Sequence, residues 1–472
     1  MTSKKLQENL EKKFPFTFTR EQKEIVGSIA DFTTSISTRS IFLLKGYAGT
    51  GKTTLISALV KSLSSVTKRS VLLAPTGRAA KVLSKYSNKQ ASTIHRKIYW
   101  IRSRKNGNTY IKIKENTHTN TIFIVDEASM IPEASDSSFG NRSLLDDLIQ
   151  FVYDGIGCKL ILIGDTAQLP PVHLEISPAL DKGFLETTYL KDVISVTMKE
   201  VVRQSKESTV LSNATDLRNR ISVDDYSYPK FDVSSDVVRL DSGEELQDQL
   251  ETAYSVSGVT NTIVLCRSNK RANIYNQQIR ARIRFQENEI SVGDMLMVVR
   301  NNYFWLGEES KAGFIANGDI VEVVRFKETI DRYGFRFANL TVQLVDYPDE
   351  KDLDVIVMLD TLSSETPSLS YDEYKKLYNE VSLDYKGDRE LNKKIKENPF
   401  FNALQIKFSY AITCHKSQGG QWDNVFVDLG YFKEEMLNKS YLRWLYTATT
   451  RASQKLFLIN FKEDFFTKHL HP

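Results

Sequence analysis

A glycine-rich segment, GYAGTGKT at residues 46–53, carries residue types that bind phosphate. Its glycines leave backbone N–H groups free to surround phosphate oxygens, while Lys52 can reach the β- and γ-phosphates and the Thr53 hydroxyl can bind Mg²⁺. The pattern G-x-x-x-x-G-K-[ST] is specific only between a strand and a helix. An apolar run, residues 41–44, precedes the loop and an amphipathic stretch follows it to residue 60. We therefore predict a nucleotide-phosphate site here.

A second apolar run, TIFIV at residues 121–125, ends in the carboxylates of Asp126 and Glu127. Asp126 is suited to hold Mg²⁺ and Glu127 to activate an attacking water molecule. A third run, KLILIG at residues 159–164, also ends in an acidic turn. Buried strands that alternate with helical stretches from residue 41 to 172 predict a parallel α/β sheet, with its ligand at the carboxyl ends of the strands.

A polar segment near the C-terminus, TCHKSQGGQW at residues 413–422, is open to three interpretations: a metal site, a cysteine nucleophile with its base, or a loop that grips an anion. A structural zinc site needs about four ligands, usually in paired spacings. The chain has three cysteines, far apart, and six histidines, none paired at ligand spacing with another, which weakens the metal interpretation. A cysteine nucleophile requires a base and an oxyanion site close in space, and the sequence leaves that open.

Composition limits the remaining possibilities. A chain of 472 residues with 41% hydrophobic residues can form a large core in about two to four domains. The net charge of +4 requires any nucleic-acid contact to come from a local basic patch. The odd number of cysteines argues against a disulfide framework and fits a reducing compartment. The N-terminal stretch lacks the apolar core of a signal peptide, and no apolar run reaches about 18 residues, so we expect a cytoplasmic protein without a membrane span.

The motifs, in their order, resemble those of superfamily 1 helicases of the RecD/Dda type, and the resemblance spans most of the chain. One departure is Tyr47, which stands where a proline is more usual. The matching segments are TREQ (19–22), GYAGTGKT (46–53), APTGRAAK (74–81), ASTIHR (91–96), DEAS (126–129), GDTAQLPPV (164–172), VVRQ (201–204), T-x-H-K-S-Q-G (413–419) and YTATTRA (446–452).

The resemblance implies roles at an ATP site with Mg²⁺. Gln22 would read adenine, Gln168 would sense the γ-phosphate, and Arg203 and Arg451 would be candidate arginine fingers. The expected catalytic residues are Lys52, Glu127, Gln168, Arg203 and Arg451. The expected nucleotide-binding residues are Gln22, Gly46, Gly49, Thr50, Gly51, Lys52, Thr53, Thr54 and Gly419, and the expected Mg²⁺ ligands are Thr53 and Asp126.

The resemblance also implies DNA contacts, and it favours the anion-gripping interpretation of the 413–422 segment. Cys414 would then be a small buried residue without a catalytic role. Glycine at position 419 would let the loop approach its ligand closely. The expected DNA-binding residues are Pro75, Thr76, Arg78, Thr93, His95, Arg102, Arg104, Lys112, Thr413, His415, Lys416 and Ser417.

For the fold, the resemblance implies two RecA-like P-loop motor domains of the α/β class with parallel sheets. We expect the first at residues 1–195 and the second at 196–286 and 404–472. A β-hairpin insertion at 97–120 would act as a pin that splits the duplex. Residues 287–403 would form an SH3-like β-barrel, supported by the alternating pattern and turn signals of their first half, followed by two charged helices. Those helices are either a solvated pair or a tower that closes over the DNA strand.

The hairpin insertion, residues 99–116, allows two registers. A two-residue turn at Asn106-Gly107 would pair Ile101 with Lys112 and mix apolar and basic side chains on each face. A three-residue loop, 106–108, pairs Ile101 with Ile113, Ser103 with Ile111 and Arg102 with Lys112. This register places Tyr99 and three isoleucines on one face and basic residues on the other, so we predict it.

The main hypothesis is an ATP-dependent DNA helicase that moves 5′ to 3′ on single strands and unwinds duplex DNA; the polarity comes from the resemblance alone. One alternative is an ATP-driven translocase or nucleoprotein remodeller that does not separate strands. Another is a nucleotide-dependent DNA-binding switch or loader, which intact Glu127, Arg203 and Arg451 argue against. We expect single-stranded DNA and forked duplexes as partners, with replication or repair proteins, for a monomer associated with the nucleoid.

Overall fold

The computed structural model describes residues 3–103, 109–133, 143–201, 208–307, 310 and 312–467. Within these residues the chain forms two parallel α/β sheets, a closed β-barrel and a two-stranded hairpin. None of the described helices combines the length and the apolar character that a membrane crossing requires.

The described strands and helices alternate through most of the chain. The strands are β1 (Ser40–Gly46), β2 (Arg69–Ala74), β3 (Ala91–Thr93), β4 (Tyr99–Ser103), β5 (Thr109–Ile113), β6 (Thr121–Val125), β7 (Lys159–Gly164), β8 (Asp192–Met198), β9 (Val237–Leu240), β10 (Thr262–Cys266), β11 (Met295–Val298), β12 (Ile320–Arg332), β13 (Phe335–Leu344), β14 (Leu353–Met358), β15 (Leu404–Phe408), β16 (Ala411–Thr413), β17 (Trp422–Asp428) and β18 (Ala452–Ile459). The α-helices are α1 (Ser3–Lys13), α2 (Arg20–Thr34), α3 (Lys52–Ser62), α4 (Gly77–Ser87), α5 (Ile94–Ile98), α6 (Leu144–Asp154), α7 (Lys182–Tyr189), α8 (Thr209–Ser222), α9 (Gly243–Ser257), α10 (Asn269–Gln278), α11 (Asp360–Ser363), α12 (Tyr371–Leu383), α13 (Leu391–Glu397) and α14 (Lys439–Thr449).

The first α/β domain is built on six parallel strands in the order β3-β2-β6-β7-β1-β8. Along β1, Ile41 and Leu43 point into one hydrophobic core, and Phe42 and Leu44 point into another on the opposite face. Helices cover both faces, which is why the central strands β1, β6 and β7 are buried at nearly every position. The last strand, β8, ends at Met198, past the boundary predicted at residue 195.

The central strands of this sheet bring the predicted nucleotide-site segments to one edge. Strands β1, β2, β6 and β7 run parallel, so their carboxyl ends meet there. The phosphate loop follows β1, Asp126 and Glu127 follow β6, and Asp165 follows β7. The sheet therefore gathers side chains that are far apart in sequence, as the carboxyl edge of a parallel sheet does in other α/β proteins.

The second α/β domain has five parallel strands in the order β16-β10-β17-β18-β9. Strands β9 and β10 precede the barrel in the chain and β16 to β18 follow it, so the domain consists of two separate segments. Helix α14 joins β17 to β18 and is buried along much of its length, including Trp444 and Tyr446.

The barrel is closed by β11, β12, β13, β14 and β15. Strand β15 pairs with β11 and with β14. The boundary predicted at residue 404 assigned this strand to the second α/β domain, and that assignment is wrong. Residues 409 and 410 alone separate β15 from β16. The same alternation of apolar and polar residues continues from the barrel into the next sheet, so the sequence shows no boundary there.

Helices α12 and α13 extend from the barrel, with Gly387 at a φ of +87° between them. They are attached by a core of their own, in which Leu377, Val381 and Ile395 are buried with barrel residues such as Phe337. The pair is therefore docked on the barrel rather than solvated on all sides. Closure over a DNA strand stays a prediction.

The insertion after α5 forms a hairpin of β4 and β5, but its register differs from the predicted one. Ile101 lies opposite Ile111, Arg102 opposite Tyr110, and Lys112 opposite Trp100. The strands thus pair two positions away from the predicted register, a shift that leaves each residue on its predicted face because side chains alternate with a period of two. The expected opposition of Arg102 and Lys112 is wrong. The predicted turn, 106–108, and Arg104 lie outside the described residues.

Candidate nucleotide and nucleic-acid site

The phosphate loop joins β1 to α3 and adopts a conformation that requires glycine at two positions. Gly49 has a φ of +74° and Gly51 a φ of +86°. Gly51 is the N-cap of α3 and provides no side chain to bond the first N–H groups of the helix. Those N–H groups and the helix dipole favour an anion at this end of α3. The loop therefore lies between a strand and a helix, the context that the pattern requires.

A cavity of about 450 Å³ lies between the two α/β domains, beside this loop. The predicted site residues that line it are Gly49, Gly51, Lys52, Thr53, Thr54, Asp126, Glu127, Gln168, Gly419 and Arg451. Both domains contribute, since Gly419 and Arg451 belong to the second. The structure thus brings most of the predicted catalytic residues together in one cleft.

Lys52 and Gln22 hold the phosphate loop in shape. The Lys52 ammonium donates to the backbone carbonyls of Gly46 and Tyr47 at 2.5 and 2.7 Å. Gln22 closes a capping box with Thr19 at the start of α2, and its Nε2 donates to the Thr50 carbonyl at 3.1 Å. Gln22 is buried, and like Gly46 and Thr50 it lies outside the cavity lining. Its predicted role as adenine reader gains no support from this placement.

Asp126 and Glu127 form an adjacent pair of carboxylates at the end of β6. The backbone N–H of Glu127 donates to Asp126 Oδ1 at 2.9 Å. Burial, with the neighbouring Glu127 carboxylate, raises the pKa of Asp126 to about 7, and Lys52 opposes this in part. A buried carboxylate of this kind is stabilised by a nearby cation.

The donor set around Asp126 suits Mg²⁺. Thr53 and Asp126 both line the cavity and offer oxygen ligands. Mg²⁺ typically takes one or two protein oxygens and completes its coordination with phosphates and water. Within the described residues no cluster of three or more histidine, cysteine or acidic side chains could hold a metal by itself. Thr53 and Asp126 therefore fit Mg²⁺ that arrives with a nucleotide.

Arg451 enters the cavity from the second domain, just after the end of α14. Its side chain is only 3% exposed. The guanidinium donates to the carbonyls of Thr447 and Gly420, both at 3.1 Å, and to the Thr450 hydroxyl at 3.3 Å. A cation placed in this way can act on a nucleotide bound to the other domain. The other arginine-finger candidate, Arg203, lies outside the described residues.

The glycine at position 419 brings the second domain against helix α4 of the first. Its φ is +72°, and a Cβ atom here would lie 2.7 Å from the Cβ of Ala79 and 3.4 Å from the Thr76 hydroxyl. The next contact along this interface is made by Arg78, whose guanidinium stacks 3.9 Å from the centre of the Trp422 ring. Close approach at Gly419 therefore serves the contact between domains as well as the cavity.

The first group of predicted DNA-binding residues is partly engaged within the protein. Thr76 and Thr93 are N-caps whose hydroxyls accept backbone N–H groups of α4 and α5. Burial lowers the pKa of Arg78 to about 10, while the Asp346 carboxylate opposes that effect. Arg78 therefore faces the second domain, whereas we expected it at a DNA surface. Pro75 and His95 are half-buried.

The second group of predicted DNA-binding residues, in the 413–417 segment, contains both exposed and buried side chains. His415 is exposed and Thr413 half-buried, while the Ser417 hydroxyl is buried and donates to the Cys414 carbonyl at 2.7 Å. The Lys416 Nζ is buried without a hydrogen-bond partner in the described residues, and burial lowers its pKa to about 8. Cys414 is fully buried, as predicted, and burial raises the pKa of its thiol to about 12. His415 is thus the best exposed candidate for a phosphate contact in this segment.

Several residues that line the cavity were not among the predicted site residues. The aromatic residues Phe14, Phe16 and Tyr86 line the cavity, as does the carboxylate residue Asp165. The signal for the phenylalanines is the cluster FPFTF at residues 14–18, directly before TREQ. Phe14 stacks on Phe18 with ring centres 4.1 Å apart. Tyr86 has no such signal, because it reaches the cavity only through the packing of α4.

Two protein families match parts of the chain. The AAA domain family matches residues 17–221, and the UvrD-like helicase C-terminal domain family matches residues 408–459. Both matches include motif residues that line the cavity, such as Lys52 in the first and Arg451 in the second.

Similar proteins match over nearly the whole length. An uncharacterized protein of Acanthamoeba polyphaga mimivirus is 24% identical, over 93% of this chain and 99% of its own. The ATP-dependent DNA helicase dda of Enterobacteria phage T4 is 25% identical, over 88% of this chain and 93% of its own. A crystal structure of Pif1 helicase from Bacteroides, in complex with ADP-AlF3 and single-stranded DNA, has a TM-score of 0.47 and 15% identity, covering 96% of this chain and 95% of that one.

Proposed function

The chain belongs to the superfamily 1 helicases of the RecD/Dda type, and from that premise we propose that it translocates along single-stranded DNA and unwinds duplex DNA with ATP hydrolysis as its energy source. We assign it the 5′-to-3′ direction of that family branch. Forked duplex DNA is the proposed substrate, the chain acts as a monomer, and proteins of replication or repair are its proposed partners.

The main support for this proposal is that both α/β domains contribute residues to the cavity. Lys52 and Glu127 come from the first α/β domain, and Arg451 comes from the second. A nucleotide bound there would touch both domains, and its hydrolysis would remove contacts that hold them together. Such a change in the relative placement of two domains is the movement that a motor on DNA needs.

Each side chain has a distinct part in hydrolysis. Thr53 and Asp126 would hold Mg²⁺, which when bound neutralises charge on the β- and γ-phosphates. Lys52 binds phosphate oxygens, and Glu127 orients the attacking water and accepts its proton. Arg451 adds positive charge on the side of the γ-phosphate that faces the second domain. Gln168, whose Oε1 is buried without a partner in the described residues, is free to bond a ligand in the cavity.

A strand-displacement assay with matched duplexes tests the function directly. With ATP and Mg²⁺, the protein should unwind a duplex that carries a 5′ single-stranded tail and leave a 3′-tailed duplex intact. ATPase activity should rise when single strands are added, and DNA binding should weaken as salt increases, because contacts to backbone phosphates dominate such binding. Strand-stimulated ATPase without unwinding of either duplex would favour the translocase. An ATPase rate unchanged by DNA would favour a binding switch.

The hairpin of β4 and β5 is proposed as the pin that separates the strands. Its base is anchored, since the buried Tyr99 hydroxyl donates to Asp147 on α6 at 2.8 Å. Trp100 and Lys112, paired across the hairpin, are both exposed. A hairpin held at its base with exposed aromatic and basic residues can meet a duplex end and stack on a base pair.

Replacing residues 104–109 by a short glycine linker should abolish unwinding but leave the ATPase stimulated by single strands largely intact. The replacement leaves every described cavity residue unchanged, and Tyr99 with its anchor on Asp147 is retained. Both activities are measured on the same preparation, so the ATPase rate controls for folding. Unwinding at the wild-type rate by the shortened protein would rule out the pin and leave translocation as the supported activity.

A further inference from the structure

The hydroxyl of Tyr446 reaches from the second α/β domain into the first, beside the nucleotide cavity. It donates a hydrogen bond to Oδ2 of Asp165 at 2.6 Å and accepts one from the backbone N–H of Ala48 at 2.8 Å. Ala48 belongs to the phosphate loop and Asp165 follows β7, and both line the cavity. One side chain of α14 therefore connects two cavity walls of the opposite domain.

Burial and charge make this contact strong. Tyr446 is 1% exposed and Asp165 is 2% exposed. The other oxygen of Asp165 accepts the Ala167 N–H at 2.9 Å, which orients the carboxylate towards Tyr446. Burial, together with the Asp165 carboxylate, raises the pKa of Tyr446, so the phenol stays protonated and donates to Asp165. A hydrogen bond from a neutral donor to a carboxylate is about twice as strong as one between neutral groups.

Arg451 follows the C-terminal end of the same helix and lines the cavity. The residue after Tyr446, Thr447, accepts the Nε–H of Arg451 on its backbone carbonyl at 3.1 Å. Its hydroxyl accepts the N–H of Leu169 at 2.9 Å, a second bond between α14 and the segment after β7. Tyr446 and Thr447 therefore fix the end of α14 to the first domain, and the Thr447 carbonyl also holds the Arg451 side chain.

We propose that Tyr446 is a positioning residue: its hydroxyl sets α14 against Asp165 and the phosphate loop, and so places the Arg451 guanidinium for ATP hydrolysis. This inference rests on the proposed function, because it assigns Arg451 a role in that reaction. Tyr446 itself touches neither nucleotide nor water in this role. It acts through α14, which carries Tyr446 and whose Thr447 carbonyl accepts a hydrogen bond from Arg451, two residues beyond the end of the helix.

Tyr446→Phe tests the proposal, because phenylalanine keeps the buried ring and removes only the hydroxyl. In the presence of saturating single-stranded DNA, kcat for ATP hydrolysis should fall about 10-fold or more, since a displacement of about 1 Å at a reacting centre can cost about 10²-fold. The KM for ATP should change little, because the phosphate-binding residues of the first domain are retained. A general loss of structure would instead lower the melting temperature and the affinity for ATP together.

Tyr441→Phe is a matched control on the same helix. Tyr441 is 2% exposed, and its hydroxyl has no hydrogen-bond partner within the described residues. Removing that hydroxyl costs no hydrogen bond, so kcat, KM and the melting temperature should remain those of the wild type. Equal losses of kcat in the two variants would show that α14 tolerates no change and would overturn the specific role of the Tyr446 hydroxyl.

A double-mutant cycle shows whether Tyr446 acts through Arg451. In an Arg451→Lys background, measured as single-turnover hydrolysis with enzyme in excess, Tyr446→Phe should reduce the rate by a smaller factor than in the wild type. Equal factors in both backgrounds would overturn the proposal, as would a wild-type kcat for Tyr446→Phe. The wild-type protein is measured alongside. Absence of DNA-stimulated hydrolysis in the wild type would contradict the proposed function. If the wild type shows this activity, the double-mutant cycle tests only the role of Tyr446.

Asp165→Asn approaches the same contact from the first domain. It keeps the size of the side chain but removes the charge that the Tyr446 hydroxyl meets, so kcat should fall while the KM for ATP holds. This variant serves as the test if Tyr446→Phe does not fold. A folded Asp165→Asn protein with wild-type kcat would count against the proposed contact, because its charged acceptor would then have no effect on turnover.

Discussion

Replacing Glu127 by glutamine should lower the turnover number for ATP hydrolysis by about 10²- to 10⁴-fold, the range that a general base contributes. The side chain lines the cavity directly after β6, beside Asp126. Glutamine has the same shape and can adopt the same backbone φ of +54°, but it cannot accept the proton of the attacking water. Binding of ATP should persist, so the variant should accumulate as a complex with both ATP and single-stranded DNA.

The measurement combines steady-state hydrolysis with the binding of a fluorescent ATP analogue and a labelled oligonucleotide. Glu115→Gln is the matched control, since Glu115 is an exposed glutamate of the same domain and should give wild-type rates. If Glu127→Gln hydrolyses ATP as fast as the wild type, Glu127 is not the base. A variant that no longer binds ATP would point to a structural role at the end of β6.

Replacing Arg451 by alanine should reduce DNA-stimulated hydrolysis by about 10³- to 10⁵-fold, the effect of an arginine finger. Among the described residues, Arg451 is the cation that the second domain contributes to the cavity lining. Its guanidinium is held by hydrogen bonds to the Thr447 and Gly420 carbonyls. Those two bonds orient it before any nucleotide binds. The affinity for ATP should fall much less than the rate, because charge develops mainly in the transition state.

Arg451→Lys separates charge from geometry. Lysine keeps a positive charge but lacks the planar fork that bonds two carbonyls at once, so its rate should lie between those of the alanine variant and the wild type. Pre-steady-state hydrolysis, with the melting temperature of each protein, provides the comparison. A rate for Arg451→Ala within a few-fold of the wild type would transfer the finger role to Arg203.

The backbone geometry of the phosphate loop follows from consecutive residues of the sequence. The phosphate loop needs only the glycines at 49 and 51, Lys52 and the helix behind them, and all lie within one short segment. The strands before Asp126 and Asp165 are buried at every position because both faces of the sheet are covered. Such features follow from neighbours in the chain and are visible before any folding is considered.

The hairpin shows where a pattern is insufficient. The backbone of β4 and β5 pairs Ile101 with Ile111 instead of Ile113. A shift of two positions keeps every residue on its face, so the alternation of side chains cannot distinguish the two registers. The choice depends on loop length and on how the hairpin base is held, and neither is encoded in the alternation.

The motifs also did not predict which polar side chains are buried. Arg78 and Lys416 sit in segments that resemble DNA-contacting motifs, yet Arg78 stacks on Trp422 and the Lys416 amine is buried. Gln22 bonds Thr50 instead of lining the cavity. A motif specifies which residue is present, whereas the direction of its side chain depends on partners from distant parts of the chain.

The order of the residues alone predicts a nucleotide-phosphate site, because the phosphate-loop motif is contiguous and its backbone geometry is local, while the resemblance of the motif segments indicates a superfamily 1 helicase. Only the folded protein places Tyr446 against Ala48 and Asp165, positions separated by 398 and 281 residues. That contact depends on helix α14 of the second domain lying against the phosphate loop and the segment after β7 of the first. The two hydrogen bonds form only when both domains are in place, and no local propensity of the three residues predicts them.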